Sequence, residues 1–291
     1  MMYATALRSD TSAASTSASA RMEASGIRAR GIIDISSSVR NGKSVRNQVH
    51  ESGALRVRFP HEDVPGLGAV VVNTGGGMTG GDDFSIRAKA GPGSVLTVTT
   101  SAAEKIYRSI GPPANVHVCL EATERSSLAW LPQEAIVFDG ARIKRRYDIS
   151  MACDSALLVC DINCVGRAAM GETVGNLKLQ DQWRIRIGGQ LCYADFTRID
   201  GHATNILQRA TIADGAASFA TLIYAGPEAE AACLYLRALV AASSQVQAGA
   251  GLFNGICVAR FVSSELSQLR EFICRATQGI YGATMPRSWA T

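Results

Sequence analysis

The sequence predicts a mainly β protein built of stacked, sandwich-like sheets, with a few helices near its C-terminus. From Gly31 onward, hydrophobic and polar residues alternate over short runs, as they do in half-buried strands. Glycine and proline pairs separate these runs and mark turns. The spacing of apolar residues changes to that of an amphipathic helix only in the last third of the chain. Many short strands with turns between them are typical of packed sheets.

Composition fits an ordinary globular protein and argues against two classes of partner. The chain has 291 residues, of which 47% are hydrophobic and 19% charged, and it can bury a sizeable core. The net charge of +4 is small, and the one dense basic run, 142–146, alternates like a solvated strand face. Nucleic-acid binding is therefore not expected. No stretch resembles a membrane span or a secretory signal, so we expect no membrane contact and a cytoplasmic location.

The elements follow in order along the chain. Residues 1–25 are rich in Ser, Ala and Thr and are expected to be a disordered tail, with a single domain over 26–291. Alternation then predicts strands at 32–35, 55–59, 68–73, 84–90, 94–100, 115–121, 128–131, 135–138, 142–150 and 156–161. The clearest hairpin joins 177–187 to 190–199 through Gly188-Gly189.

A helical pair is expected within about 228–279. Residues 228–240 are rich in alanine and carry leucines at helical spacing. A second apolar stripe begins at Leu266; Ser263 or Ser264 is expected to cap this helix and Gly279 to end it. Residues 252–261, between the two helices, are expected to form one strand.

A glycine-rich segment at 73–83 places five glycines within seven residues, between an apolar run and two aspartates. Gly75, Gly77 and Gly80 match the spacing G-x-G-x-x-G of dinucleotide-binding loops. A strand-like alternation follows, however, instead of the required helix, and no acid lies about 20 residues further on. We therefore favour a tight turn or bulge between two strands.

No common catalytic motif is present, but single acids stand at predicted strand ends and turns. The chain lacks G-x-S-x-G and H-E-x-x-H, and its four histidines follow no recognisable catalytic spacing. The acids are Asp82, Asp83, Glu104, Glu134, Asp139, Glu172 and Asp200. Each could form a turn or pair with an arginine. Several could instead line a polar passage for a divalent cation, or two could serve as the acid and base of a glycosidase-like enzyme.

The eight cysteines include no C-x-x-C pair, and most lie in apolar patterns, as free buried thiols do. His117 and Cys119 lie on one face of a predicted strand and offer two soft ligands. Such a pair is more often simple packing than a permanent metal site, and no permanently bound cofactor is expected.

A series of short motifs resembles one known family. In order they are Asn73-Thr74 with the glycines and Asp82, 103–109 (AEKIYRS), 130–134 (WLPQE), 138–141 (FDGA), 166–172 (GRAAMGE), 183–185 (WRI), 198–201 (RIDG) and 286–291 (PRSWAT). Each motif is weak alone, but together they are similar to the urease accessory proteins called UreD or UreH over residues 30–291.

The resemblance implies a non-enzymatic scaffold with a β-rich body of stacked sheets. It implies binding to the accessory protein UreF, and through UreF to UreG, in a two-fold complex that docks on apo-urease and delivers nickel. Ni²⁺ would be in transit through an internal passage, and the candidates for transient contacts are Asp82, Glu104, Glu134, Asp139 and Glu172. The expected partner-binding or structural residues are Tyr107, Arg108, Arg142, Arg167 and Trp183.

Two alternatives stay open at this point. One is a hydrolytic, carbohydrate-active β protein that uses paired carboxylates. Its weakness is the low aromatic content, 6%, with no stripe on which sugars could stack. The other is a plain β scaffold that binds partners without handling a metal.

Overall fold

The computed structural model describes residues 28–61, 64–166 and 172–290. The predicted N-terminal tail, 1–25, lies outside them. The strands are β1 (Arg30–Arg40), β2 (Lys43–Gly53), β3 (Leu55–Arg58), β4 (Leu67–Asn73), β5 (Asp83–Ala90), β6 (Val95–Thr100), β7 (Glu104–Ile106), β8 (Ala114–Ala122), β9 (Ser127–Leu131), β10 (Ala135–Val137), β11 (Arg142–Met151), β12 (Ala156–Val165), β13 (Leu177–Ile187), β14 (Gln190–Gly201), β15 (Ser218–Ala225), β16 (Gln247–Phe253) and β17 (Ile256–Ser263). The helices are α1 (Ala203–Leu207), α2 (Ala229–Ala241) and α3 (Leu266–Tyr281), followed by a 3-10 turn at Arg287–Trp289.

Two stacked sheets form the body of the protein. The first sheet has seven strands in the order β14-β13-β11-β8-β5-β1-β2, and the second runs β16-β17-β15-β12-β9-β6-β4-β3 with β10 and β7 at its side. From β4 to β13 the long strands alternate between the two sheets, so the chain winds as a flattened coil. Strands of successive turns pair in parallel within each sheet. The predicted fold class, mainly β with stacked sheets and a few helices, is confirmed.

The main core lies between the sheets, where period-two alternation sends every second side chain inward. In β5 the buried residues Phe84, Ile86 and Ala88 alternate with half-buried or exposed polar ones. Strand β12 is buried on both faces because α2 and α3 cover the outside of the second sheet. Its near-continuous apolar sequence follows from this double burial.

One corner of the coil brings separate motifs together. Short strands β7 and β10 pair in parallel with each other, and β10 also pairs with β12. An isolated bridge joins Met78 to Ile106, so that Met78, Ile106, Val137 and Val165 form one ladder across four turns of the coil. Motifs that are far apart in sequence are therefore neighbours at this corner.

Several local expectations were wrong. Residues 252–261 are not one strand, because Asn254 and Gly255 adopt φ of 48° and 73° and form the turn of the β16–β17 hairpin. Helix α3 continues through Gly279 and ends at Gly282, which has φ of 64°. A Cβ at Gly279 would lie 2.1 Å from the Tyr235 ring, so this glycine permits close packing of α2 on α3.

The start of α3 also differs from expectation. Its N-cap is Glu265, and neither Ser263 nor Ser264 takes that position. Ser263 instead accepts a hydrogen bond at Oγ from the Glu265 N–H, 3.2 Å away.

Strands β2, β7 and β15 were not predicted. Within the described residues, no helix has both the length and the apolar character needed to cross a bilayer.

Candidate functional site

The glycine-rich segment joins β4 of the second sheet to β5 of the first, at the corner described above. Its backbone pairs with the next turn of the coil: Met78 N–H donates to Lys105 and Tyr107 N–H donates to Met78, at 2.7 and 2.8 Å. A Cβ at Gly80 would lie 1.7 Å from Ser109 Oγ, and one at Gly77 would lie 2.5 Å from the Tyr107 ring. The glycines therefore allow close approach between chain segments.

A cavity of about 280 Å³ lies beneath this segment and reaches into the space between the sheets. Exposed residues Gly76 and Ala102 line its outer end, and buried residues line its inner end. Its walls are mostly apolar, with Val71, Phe84 and Trp130 among them. Its charged lining residues are Glu104, Lys105, Arg145 and Asp161.

Glu104 stands at the outer end of the cavity. Asn73 Nδ2 donates a hydrogen bond to its carboxylate, 2.9 Å away, and another to the Gly77 carbonyl, 3.1 Å away. Burial raises the pKa of Glu104 to about 7, and the Asn73 hydrogen bond opposes that rise. The carboxyl group therefore exchanges between neutral and charged forms near neutral pH, and a cation in the cavity would favour the charged form.

A buried ionic cluster closes the inner end. Arg145 donates to both carboxylate oxygens of Asp161 at 3.0 Å, and its Nε donates to Asp181 at 2.7 Å. Tyr147 donates to Asp161 at 2.9 Å. Burial raises the pKa of Asp181, and Arg145 opposes that rise. Two carboxylates therefore share one guanidinium, and Arg145, Tyr147 and Asp161 of this cluster line the cavity.

Sequence reasoning missed this cluster. The basic run 142–146 was expected on a solvated face, and Lys144 and Arg146 are indeed exposed, but Arg145 points inward between Ile143 and Tyr147. Asp181 likewise falls in phase with the buried residues of β13. A charge in the apolar phase of a strand was the available signal, because such a charge must find a buried partner.

Two of the predicted acids are held by structural partners. Asp82 is buried, and its two carboxylate oxygens accept the N–H groups of Ala29 and Thr79 at 2.9 and 2.8 Å. Glu134 is also buried and forms an ion pair with Arg270 of α3. It lines a groove that contains Arg270 and Trp289, whereas Glu104 lines the internal cavity.

Asp139 and Glu172 form a separate cluster at the next turn of the coil. One oxygen of Asp139 accepts the N–H groups of Gly175 and Asn176, both at 2.9 Å, and the other pairs with Arg108 at 3.2 Å. These bonds, led by that from Asn176, hold the pKa of Asp139 below its usual value. Glu172 accepts from the Asp139 N–H at 3.4 Å. Neither residue lines the internal cavity.

Three of the other predicted residues have identifiable structural contacts. Tyr107 is partly exposed and stacks on Phe138, with ring centroids 5.3 Å apart. Arg142 donates to the Gly111 carbonyl at 3.0 Å. Trp183 is buried and stacks on Tyr147 at 3.7 Å. Arg167 lies outside the described residues.

Comparison with known proteins gives one consistent result. The family model for the UreD urease accessory protein matches residues 29–290. The chain is 41% identical to a urease accessory protein UreD of Rhodopseudomonas palustris over 282 residues, 95% of this chain and 98% of the relative. It is 42% identical to the UreD of Xanthobacter autotrophicus over 274 residues, 94% of each chain. It is 41% identical to that of a Methylobacterium species over 257 residues, 87% of this chain and 91% of the relative.

Proposed function

This chain belongs to the UreD family of urease accessory proteins, and on that premise we propose that it is a scaffold that passes Ni²⁺ toward apo-urease through the cavity beneath the glycine-rich segment. In this proposal it binds UreF, and through UreF it engages UreG. The observation that carries the proposal is the cavity itself, with the Glu104 carboxyl group, whose pKa is about 7, at its outer end and the Arg145–Asp161 pair at its inner end.

Carboxylate oxygens suit this task because they bind hard and borderline divalent cations without trapping them. A conduit must attract the ion and also release it, so a few weak contacts serve better than a complete ligand set. Glu104 meets this requirement, since its carboxyl group loses a proton readily near neutral pH and faces the cavity. Asp161 also lines the cavity, but both of its oxygens already accept hydrogen bonds from Arg145, so it holds the inner end in place and does not contact the ion.

The same contacts divide the predicted nickel residues into two groups. We assign Glu104 to transient contact with Ni²⁺. Asp82, Glu134, Asp139 and Glu172 are assigned to the structure of the corner, because backbone N–H groups or arginines already occupy their oxygens. Glu104 is therefore the one acid of the predicted set that we assign to contact with the ion.

Co-expression with the urease subunits and the other accessory proteins tests this assignment. The variant is Glu104→Gln, which keeps the size of the side chain and removes its charge. The matched control is Glu121→Gln, on the outer face of β8, where Glu121 pairs with Lys89 at 2.8 Å. Glu104→Gln should lower the nickel content of urease several-fold while UreF still co-purifies with the chain. Glu121→Gln should leave both unchanged.

Full nickel loading of urease with Glu104→Gln would contradict the proposed role of Glu104 in the passage. Loss of UreF binding would show that Glu104 acts in assembly. The non-enzymatic part of the proposal is tested separately. Purified chain should not hydrolyse aryl glycosides, and turnover that depends on Glu104 would favour the alternative of a hydrolytic β protein.

A further inference from the structure

The outer face of β8 carries a second group of polar side chains, separate from the cavity. Val116 and Val118 point inward and line the cavity, so His117 and Cys119 point to the opposite face of the strand. Asp148 of β11 lies beside them, because β8 and β11 pair in parallel with Asp148 opposite Cys119. Among the described residues, this is the one place where three potential metal ligands of the His, Cys, Asp and Glu types converge.

The distances within this group suit a single ion. His117 Nε2 lies 2.8 Å from Asp148 Oδ2 and 3.3 Å from Cys119 Sγ, and the three donor atoms all lie within 4.8 Å of one another. Metal–ligand bonds of about 2.0–2.3 Å in a tetrahedron place neighbouring donors about 3.3–3.6 Å apart. His117 Nε2 and Asp148 Oδ2 therefore need to separate by only about half an ångström to admit a cation, and Cys119 Sγ already lies at about the required distance from Nε2.

We propose that His117, Cys119 and Asp148 form a surface site for a borderline divalent transition metal, with Zn²⁺ and Ni²⁺ as the candidate ions. A thiol, an imidazole and a carboxylate together select such metals over Mg²⁺ or Ca²⁺, which prefer oxygen ligands. Three protein ligands leave the fourth position open to water or to a ligand from another molecule. Binding releases the Cys119 thiol proton to solvent and shifts the neutral His117 ring to the tautomer with its proton on Nδ1, by exchange with solvent. The hydrogen bond between His117 and Asp148 is then replaced by two bonds to the ion.

The surroundings allow access but limit affinity. His117 is about half exposed, and it lies at the edge of an outer groove of about 390 Å³ that gives solvent a route to the open position. Two arginines stand next to the site. Arg146 pairs with Asp148 at 2.5 Å, and Arg87 is held by Asp34 at 3.1 Å while also interacting with Cys119. Their positive charge opposes a bound cation, so the site is suited to exchange.

Titration of the full-length chain with Co²⁺ under reducing conditions provides a spectroscopic test. A cobalt–thiolate charge-transfer band should appear and saturate at one ion per chain. It should vanish in Cys119→Ser and weaken at least tenfold in apparent affinity in His117→Ala and Asp148→Asn. Cys153→Ser, which alters an exposed free cysteine elsewhere, is the matched control and should retain the band. Competition with Zn²⁺ and with Ni²⁺ then ranks the two candidate ions.

A second measurement needs no variant and so does not depend on how the variants fold. Alkylation of each cysteine in the native chain is followed by mass spectrometry with and without Zn²⁺ or Ni²⁺. Protection of Cys119 by at least fivefold, with Cys153 labelled at an unchanged rate, supports the site. A cobalt band that survives Cys119→Ser, or equal labelling of Cys119 with and without both metals, would overturn it and leave these residues as an ion pair beside a thiol.

Discussion

Glu104 offers the sharpest physical test, because its burial makes the stability of the protein depend on pH in a defined direction. The pKa of its carboxyl group rises from 4.5 to about 7 on folding. Between these values the folded chain binds more protons at this residue than the unfolded chain does, so stability falls as the pH rises through the window. A tenfold change in an acid's dissociation constant corresponds to about 1.36 kcal/mol, so ionising Glu104 in the folded protein costs about 3 kcal/mol once the pH exceeds 7.

Glu104→Gln should remove this cost, since glutamine stays neutral at every pH. We expect the variant to match the wild type in free energy of unfolding near pH 4.5 and to exceed it by about 3 kcal/mol at pH 8. Urea denaturation followed by circular dichroism at several pH values measures the difference. Glu121→Gln is again the control, since Glu121 lies on the outer face with a lysine partner.

A difference between wild type and Glu104→Gln that does not change from pH 4.5 to 8 would refute the reasoning. It would mean that water reaches the carboxylate in the folded protein, and that the cavity does not desolvate it. The same result would weaken the proposed role of Glu104 as a carboxyl group that gains and loses a proton near neutral pH.

Two further predictions concern the core and the glycine-rich segment. Arg145→Met should lower the free energy of unfolding by about 3–5 kcal/mol at pH 8, because it leaves two buried carboxylates without their cation. Part of that loss should be recovered at pH 5. Urea denaturation at both pH values measures the two differences. Gly80→Ala should lower the free energy of unfolding by about 1–3 kcal/mol, since the new Cβ would lie 1.7 Å from Ser109 Oγ. Gly111→Ala, where nothing lies within 4 Å of an added Cβ, should be neutral, and urea denaturation of both glycine variants checks this.

Short-range patterns carried the prediction of strands well. In β5 and in the hairpin of β13 and β14, alternate residues face the same side of the sheet, because neighbouring side chains of a strand point to opposite sides. The same reasoning failed at β16 and β17, where the Asn254-Gly255 turn signal lies inside a run of apolar residues. Strand β2 was missed because it lies at the edge of its sheet with most side chains exposed, so it lacks an apolar face.

The eight cysteines show which properties the sequence pattern predicted and which required the structure. All are free, as their spacing predicted, and four of them are buried in the apolar patterns that contain them. Cys119 is different, because its neighbours include Asp148 from a strand that follows more than twenty residues later. His117 and Cys119 were visible as a pair in the sequence, whereas the third ligand required the parallel pairing of β8 with β11.

The amino-acid sequence by itself determined the β class, the two long C-terminal helices and membership of the UreD family, because strand parity, helical spacing and short motifs are local properties. Tertiary structure alone decided which of the predicted acids lines the cavity. Glu104 and Glu134 lie on adjacent turns of the coil, yet one lines the cavity and the other binds Arg270. Stacking of coil turns also brought Arg145, Asp161 and Asp181 together. Their juxtaposition depends on how the two sheets pack, and no local pattern specifies that packing.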